Sequence, residues 1–399
     1  MTMGTLVSSH RVLSPAVLPR ARTRGVVVSA LLLLLGVLLP VMRYVPIAGV
    51  NVNLCAADAI LLPVLFALRK QWLHSGALGR WILALWVTNL ISWWLSLSLL
   101  TPDVFLREAM KLVTCYLYAL VGYGIGSEAR HERPFAKGLI IAAVPVSLGA
   151  VSAYLTGLPS FFIVDARVAG TFTDPNAFGI FLAMLAALIA SASVAWLLIP
   201  ILVAGAAVTL SRTGLVSMAA SLLLTALRGG GRRFLMIAAI CAVALTLAWG
   251  SFTSNSLSRR LVEYETSLGD RQELWRQAYE SGAEHPLFGI GKGNWLSVTG
   301  RIDVAHNTFL QVIADQGFVG FCVFLAPLAF WLGAGLRRPG PRPWAVALFV
   351  GLIGGLAISL DNFRLFWLVA GVLVAKLAGE ARADQAHLLS RSEDSAKTG

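Results

Sequence analysis

Charge is what this 399-residue chain has least of. Asp, Glu, Lys and Arg make up 13% of it, about half the share usual in a soluble globular domain. With 57% hydrophobic residues and a mean hydropathy of +0.75, that scarcity excludes a soluble fold. Cysteine is scarce too. Cys55, Cys115, Cys241 and Cys322 lie inside apolar runs at no paired spacing, so neither a disulfide framework nor a cysteine metal site is expected. Short segments of alternating polarity, the mark of a transmembrane barrel, are missing. Acids are outnumbered, 20 Asp and Glu against 32 Lys and Arg.

What is there is a series of apolar runs, each close to the roughly 17 to 25 residues that carry a helix across a bilayer. About twelve recur, at 25–42, 46–68, 80–100, 104–126, 137–156, 176–191, 195–210, 213–228, 234–252, 307–336, 344–360 and 363–379. Pro63, Pro145 and Pro200 fall inside them, as membrane helices tolerate. The fold class predicted is all-α: a polytopic helical membrane protein with one integral domain, 1–379, and a polar, disordered tail, 380–399. The net charge of +12 follows topology rather than nucleic acid. Most of the cations, among them Arg20, Arg22, Arg24, Arg69, Lys70, Arg130, Arg133, Lys137, Arg337 and Arg338, occupy alternate connections, the positive-inside pattern that puts both termini in the cytoplasm. The basic first 24 residues resemble a signal peptide, but no small-residue cleavage site follows Met42; an uncleaved first helix is expected.

The same alternation puts residues 253–305, the one long polar stretch, on the outer face of a bacterial inner membrane. ATP is absent there, so any chemistry must run on a substrate that arrives activated, such as a lipid-linked sugar. Within the loop, Asp270 to Tyr279 has the pattern of a short amphipathic helix, with Asp270 as cap and Glu273 three residues on. Arg271, Trp275 and Ala278 share a face, which suits a helix lying in the membrane interface. The Gly-rich string Gly289-Ile290-Gly291-Lys292-Gly293 follows no strand, so close-packed backbone is a better reading than a phosphate loop.

His306 ends the loop where the next apolar run begins. A helix N-terminus favours the neutral imidazole that a general base requires; a capping histidine without chemistry is the plainer alternative. Arg212, between Ser211 and Thr213, and Arg271 offer guanidinium forks for phosphate oxygens, Arg271 with the help of a nearby helix N-terminus. Arg167 and Arg364 are further candidates, which Asp165 and Asp361 would neutralise. Asp174 and Asn176 flank Pro175, an ordinary helix start, and are supporting candidates. Asp103 is placed to pair with Arg107, and Glu108 with Lys111. Asn307, Gln311 and Asp315 share a face of the tenth run and should look into the bundle. About nine residues of helix span about 13 Å, which keeps Asp315 from touching His306. No acidic cluster in the loop has metal-ligand spacing.

Thr209 to Thr213, Asp270-Arg271 with Trp275, Pro286 to Gly291 and Ala305 to Thr308, together with Gly170 to Asn176 upstream, resemble in order and spacing the O-antigen ligase and polymerase superfamily. The resemblance covers roughly 160–365. It implies a GT-C-like membrane glycosyltransferase needing no metal and no cofactor, which takes glycan from undecaprenyl diphosphate at the periplasmic face and, in ligases, joins it to a sugar of lipid A–core. It also implies the roles: Arg212 and Arg271, with Arg167, on the diphosphate; His306 as catalytic base in an inverting displacement; Arg364, Asp174, Asn176 and Asn307 in support. A polymerase, or an oligosaccharyltransferase acting on protein, would use the same site. A transporter of lipid-linked glycan is the reading from another class, disfavoured because charges sit at the ends of the runs and no internal repeat is visible.

Overall fold

The computed structural model describes residues 18–47, 50–164, 167–190, 195–227, 256–300 and 305–398. The apolar run 234–252 and Asp165 lie outside them. Helix α1 (Leu18–Leu38) leads into an antiparallel hairpin of β1 (Met42–Ile47) and β2 (Val50–Cys55), with Met42 opposite Cys55 and Ile47 opposite Val50. This corrects the second predicted span. The run that begins at 46 is strand up to Cys55, and only then turns helical, as a short 3₁₀ turn followed by α2 (Leu61–Ala67) and α3 (Arg69–Trp72). Alternation of Val50, Val52 and Leu54 with Asn51 and Asn53 suits a strand better than an apolar helix face.

The expected helices then follow: α4 (Gly76–Leu95), α5 (Pro102–Gly126), α6 (Ala129–Thr156), a two-residue pair β3 (Ile163–Val164) and β4 (Arg167–Val168), α7 (Pro175–Ile189), α8 (Ile199–Ala207) and α9 (Arg212–Ala226). The polar loop is built from α10 (Ser256–Glu284) and the short α11 (Trp295–Thr299). The chain ends in α12 (Thr308–Arg337), α13 (Arg342–Gly354) and α14 (Arg364–Thr398). Two further expectations are corrected. Residues 380–398 are not disordered but continue α14, where Glu380 and Asp384, one turn apart, hold Arg338 at the end of α12 at 3.3 and 3.4 Å. Helix α12 is interrupted at Gly317, whose φ of 63° and ψ of −167° no helical residue adopts.

Among the described residues two helices, Ala129–Thr156 and Thr308–Arg337, are long and apolar enough to cross a membrane by themselves. The distribution of polarity points the same way. Large apolar side chains such as Phe66, Trp94, Leu155 and Phe330 face outward, each about 70% exposed, while Asn89, Ser92, Ser147, Glu108, Lys292 and Asp315 are buried. Lipid outside and polar groups inside explain that inversion.

Without a hydrophobic drive between helices in lipid, close backbone approach over small residues holds such bundles together. Along α5 and α14, a Cβ at Gly122 would meet the Leu368 carbonyl oxygen at 2.1 Å, and one at Gly371 the Ala119 carbonyl oxygen at 1.9 Å. Backbone atoms cannot step aside as side chains do. Gly371→Ala is therefore expected to lower stability by about 1–3 kcal/mol. Gly379→Ala, with nothing within 4 Å, should be neutral. Thermal unfolding in detergent compares the two, and equal melting temperatures would deny the close crossing.

Candidate active site

Two corners carry the candidate residues. The first joins β4, the start of α7 and the turn between α8 and α9. Asp174 caps α7 and its carboxylate accepts from the Asn176 N–H at 2.8 Å, with Pro175 as the first helical residue. Ser211 caps α9 and accepts from the Gly214 N–H at 2.9 Å, while its hydroxyl donates to Asn176 Oδ1 at 2.8 Å. Arg212 is thus the first residue of α9, exposed at its N-terminus. The Arg167 guanidinium donates to the Thr209 carbonyl at 3.3 Å. Helices α7 and α9 can meet this closely because Gly179 and Gly214 face each other: a Cβ on Gly179 would lie 2.9 Å from the Gly214 Cα.

The second corner is built around His306. Helix α12 starts one residue later than its apolar pattern suggests, with Asn307 as its cap, accepting from the N–H groups of Phe309 and Leu310. His306 stands just before the cap, with a φ of 47°, in the left-handed region that costs a residue with a Cβ about 1 kcal/mol or more. Its neighbours hold it there. The Ala305 N–H donates to Gln311 Oε1 at 3.0 Å, and the Ala305 carbonyl accepts from the Trp275 indole at 3.0 Å. Gln311 donates from its amide nitrogen to Asp315 Oδ1 at 2.8 Å. That bond turns the Gln311 oxygen towards Ala305. Strain kept in place by four neighbours is characteristic of functional positions.

Trp275 sits on α10 one turn after Arg271. The loop helix is longer than expected: it runs from Ser256, so Asp270 lies mid-helix and caps nothing, and Arg271 gains no help from a helix N-terminus. Trp275 reaches back to the His306 corner. Since residues four apart on a helix are neighbours, this bond brings the Arg271 turn of α10 to the same corner. Arg271 is half-buried and forms no ion pair with a described residue. Arg276, on another face of α10, is held in solvent by Glu273 and Glu280.

The C-terminal turn of α13 links the two corners. Gly354 packs on Ile180, one turn after Asn176 in α7. The Gly355 carbonyl accepts from the Thr308 N–H at 2.7 Å, and the Thr308 hydroxyl donates to the Ile358 carbonyl at 2.7 Å. The α7 start that holds Asn176 and the α12 start that follows His306 therefore stand against one strut at one end of the bundle.

Arg364 belongs elsewhere. It is 4% exposed and donates to Asp58 Oδ2 at 3.0 Å and to the Asn362 carbonyl at 2.8 Å, and Asp58 also accepts from the Tyr118 hydroxyl. Asp361, expected to neutralise it, pairs instead with Lys292 at 2.6 Å. Lys292 is the residue that sequence reasoning missed. Its side chain is 6% exposed, and its ammonium also stands 3.9 Å from Glu108 and 4.0 Å from Asp315, while Lys111 holds Glu108 at 2.7 Å. Burial opposes the charge on Lys292, but Asp361, Glu108 and Asp315 outweigh it and raise its pKa above the ordinary lysine value. Burial likewise opposes the charge on Asp361, and Lys292 and Lys111 hold it below the usual carboxylate range. Asp103 does not join this cluster: Arg107 turns to Glu108, 3.4 Å away. The Gly-rich string is the close-packed backbone expected of it. Gly289, Gly291 and Gly293 all have positive φ, and a Cβ on Gly289 would strike the backbone of Ala314 to Gln316.

Residues 196–325 match the family model described as O-antigen ligase. The matched stretch bears out the resemblance to the O-antigen ligase superfamily and supports a membrane glycosyltransferase of the ligase or polymerase type. It contains Arg212, Arg271 and His306 and leaves out Arg167, Asp174, Asn176 and Arg364. Within the ligase-family stretch lie both the capped start of α9 and the strained turn before α12, the ends of the two corners that α13 joins. No curated protein matches the chain.

Proposed function

We propose that the protein is an O-antigen ligase that moves polysaccharide from undecaprenyl diphosphate to a sugar hydroxyl of lipid A–core at the periplasmic face of a bacterial inner membrane. Both termini lie in the cytoplasm, the site faces the periplasm, and the bundle is of the GT-C kind. The observation that carries this reading is the meeting of the His306 and Arg212 corners on the end of α13, inside a stretch that matches the ligase family. His306 takes the proton of the acceptor hydroxyl as that oxygen attacks the anomeric carbon. The carbon–oxygen bond to the diphosphate breaks, and Arg212 and Arg271 hold the charge that develops on the departing phosphate oxygens. One displacement inverts the anomeric centre. Arg167, bonded to the carbonyl two residues before Ser211, braces the Arg212 turn and adds charge beside it; Asp174 and Asn307 serve as caps, and Asn176 holds the hydroxyl of the capping Ser211.

The test is reconstitution of purified protein with lipid-linked glycan and acceptor, without nucleotide or divalent metal. Transfer to lipid A–core is expected. Elongation of lipid-linked repeats in its place would identify a polymerase, and transport without transfer would end the enzymatic reading. In the same assay Arg212→Lys and Arg271→Lys should each lose about 10-fold or more, because a lysine keeps the charge but not the two-pronged donor. Wild-type rates in both would remove bidentate diphosphate recognition from the mechanism.

A further inference from the structure

At the opposite end of the bundle, α1 and α6 border an open groove of about 610 Å³. The two helices touch at Gly36 and Gly138, where a Cβ on Gly138 would lie 2.1 Å from the Leu33 carbonyl oxygen. On the N-terminal side of that contact they part. Gly25, Val26, Ser29, Ala30 and Leu33 form one wall, and Arg130, Arg133, Pro134 and Lys137 the other.

Of these three cations only Arg130 is paired with a carboxylate among the described residues. Glu128 accepts from Gln71 and pairs with Arg130. Glu132 is turned to the far side of α6, where it accepts from the Trp344 indole at 3.1 Å and pairs with Lys376 at 2.6 Å. Arg133 and Lys137, four residues apart and so neighbours on the helix surface, have no carboxylate partner among the described residues. Below them the groove is apolar and open to the lipid side, with Val26 65% and Leu33 36% exposed. Two cations over an apolar cleft match a phosphate carrying acyl chains, and basic pockets between membrane helices hold anionic headgroups in this way.

We propose that this groove is a binding site for an anionic phospholipid. Arg133 and Lys137 take its phosphate, Ser29 offers a hydroxyl, and the acyl chains lie along Val26, Ala30 and Leu33. The site is separate from the glycosyl-transfer centre and belongs to the end of the bundle that the charge pattern assigns to the cytoplasm. Bound there, the lipid clamps α1 to α6 and stabilises the folded chain.

The full chain, purified in a zwitterionic detergent, is melted with added phosphatidylglycerol, with phosphatidylcholine and with inorganic phosphate. A rise of a few degrees in Tm is expected with phosphatidylglycerol alone. It should disappear in the Arg133→Gln/Lys137→Gln double variant and persist in Arg337→Gln, which removes a cation of the same face away from the groove. Should the double variant not fold, Gly25→Phe fills the groove and leaves its charges in place, since a Cβ at Gly25 meets nothing within 4 Å. An equal response to phosphatidylcholine overturns the proposal, as does a response that survives Gly25→Phe. A rise reproduced by inorganic phosphate replaces the lipid with a free anion and equally defeats it.

Discussion

His306→Ala is expected to cut glycan transfer by about 10²- to 10⁴-fold, the contribution of a positioned general base, while the protein still folds. The left-handed turn is held through Ala305 by Trp275 and Gln311, and through the Asn307 cap, none of which involves the imidazole. A sharper version separates chemistry from architecture. Glycine adopts positive φ without the cost a Cβ imposes, so His306→Gly keeps the φ of 47° without that cost and should fold and still be inactive. Initial rates at saturating acceptor, beside melting curves of the same preparations, make the measurement. Retained transfer in both variants would show that another group takes the proton, and an unfolded glycine variant would contradict the strain argument. The outcome would leave the phospholipid groove untouched, because α1 and α6 contribute neither corner.

The second large effect concerns stability. Lys292→Met should destabilise the protein by about 3–5 kcal/mol, as expected when one partner of a buried ionic cluster is removed. Methionine fills nearly the same space, but Asp361 loses its 2.6 Å partner and Asp315 the ammonium 4.0 Å away, while Glu108 keeps Lys111. The pH dependence gives the sign. In the wild type Asp361 is held below the usual carboxylate range, so its contribution is present above the unfolded-state pKa and fades as pH falls through the folded value. Lys292, held above the ordinary lysine range, contributes at every pH below that range. Without Lys292 the site favours the protonated carboxyl, so the deficit of the variant should narrow on mild acidification. Melting curves at neutral and mildly acidic pH decide it, and a deficit that widened in acid would refute the cluster's role. Arg276→Gln, which breaks only solvent-exposed pairs, should melt with the wild type.

The function of this cluster explains its placement. Lys292 sits in the Gly289–Gly293 turn, whose backbone packs on α12 and whose Lys292 carbonyl accepts from the Trp93 indole at 2.7 Å. Ser92 donates to the carbonyls of both Phe288 and Asp315. Asp315 is tied in turn to Gln311, and Gln311 to Ala305. A continuous set of bonds thus runs from the Asp361 turn to the backbone beside His306. The loop is fastened to the bundle beside the left-handed turn at His306.

The physics of single segments made much of this legible in advance. Apolar runs of bilayer length marked the helices, because only a helix satisfies its own backbone in lipid. Pro175 after Asp174 marked the start of α7. The order and spacing of the motifs around Arg212, Arg271 and His306 carried the resemblance to the O-antigen ligase superfamily. The hairpin at 42–55 escaped because a half-apolar strand and part of a membrane helix differ little in hydropathy. The tail escaped because its order comes from Arg338, more than forty residues earlier in the chain. Long-range pairing decided the rest. Nothing near Lys292 in sequence points to Asp361, and Arg364, next to an aspartate and an asparagine, finds Asp58 across the bundle. Hydropathy, charge alternation and capping act within a few residues, so the sequence by itself determined the class of protein, the helices and the candidate groups. Which buried charges neutralise one another, and the left-handed turn that holds His306, depend on groups far apart in the chain, and only the packed bundle brings those together.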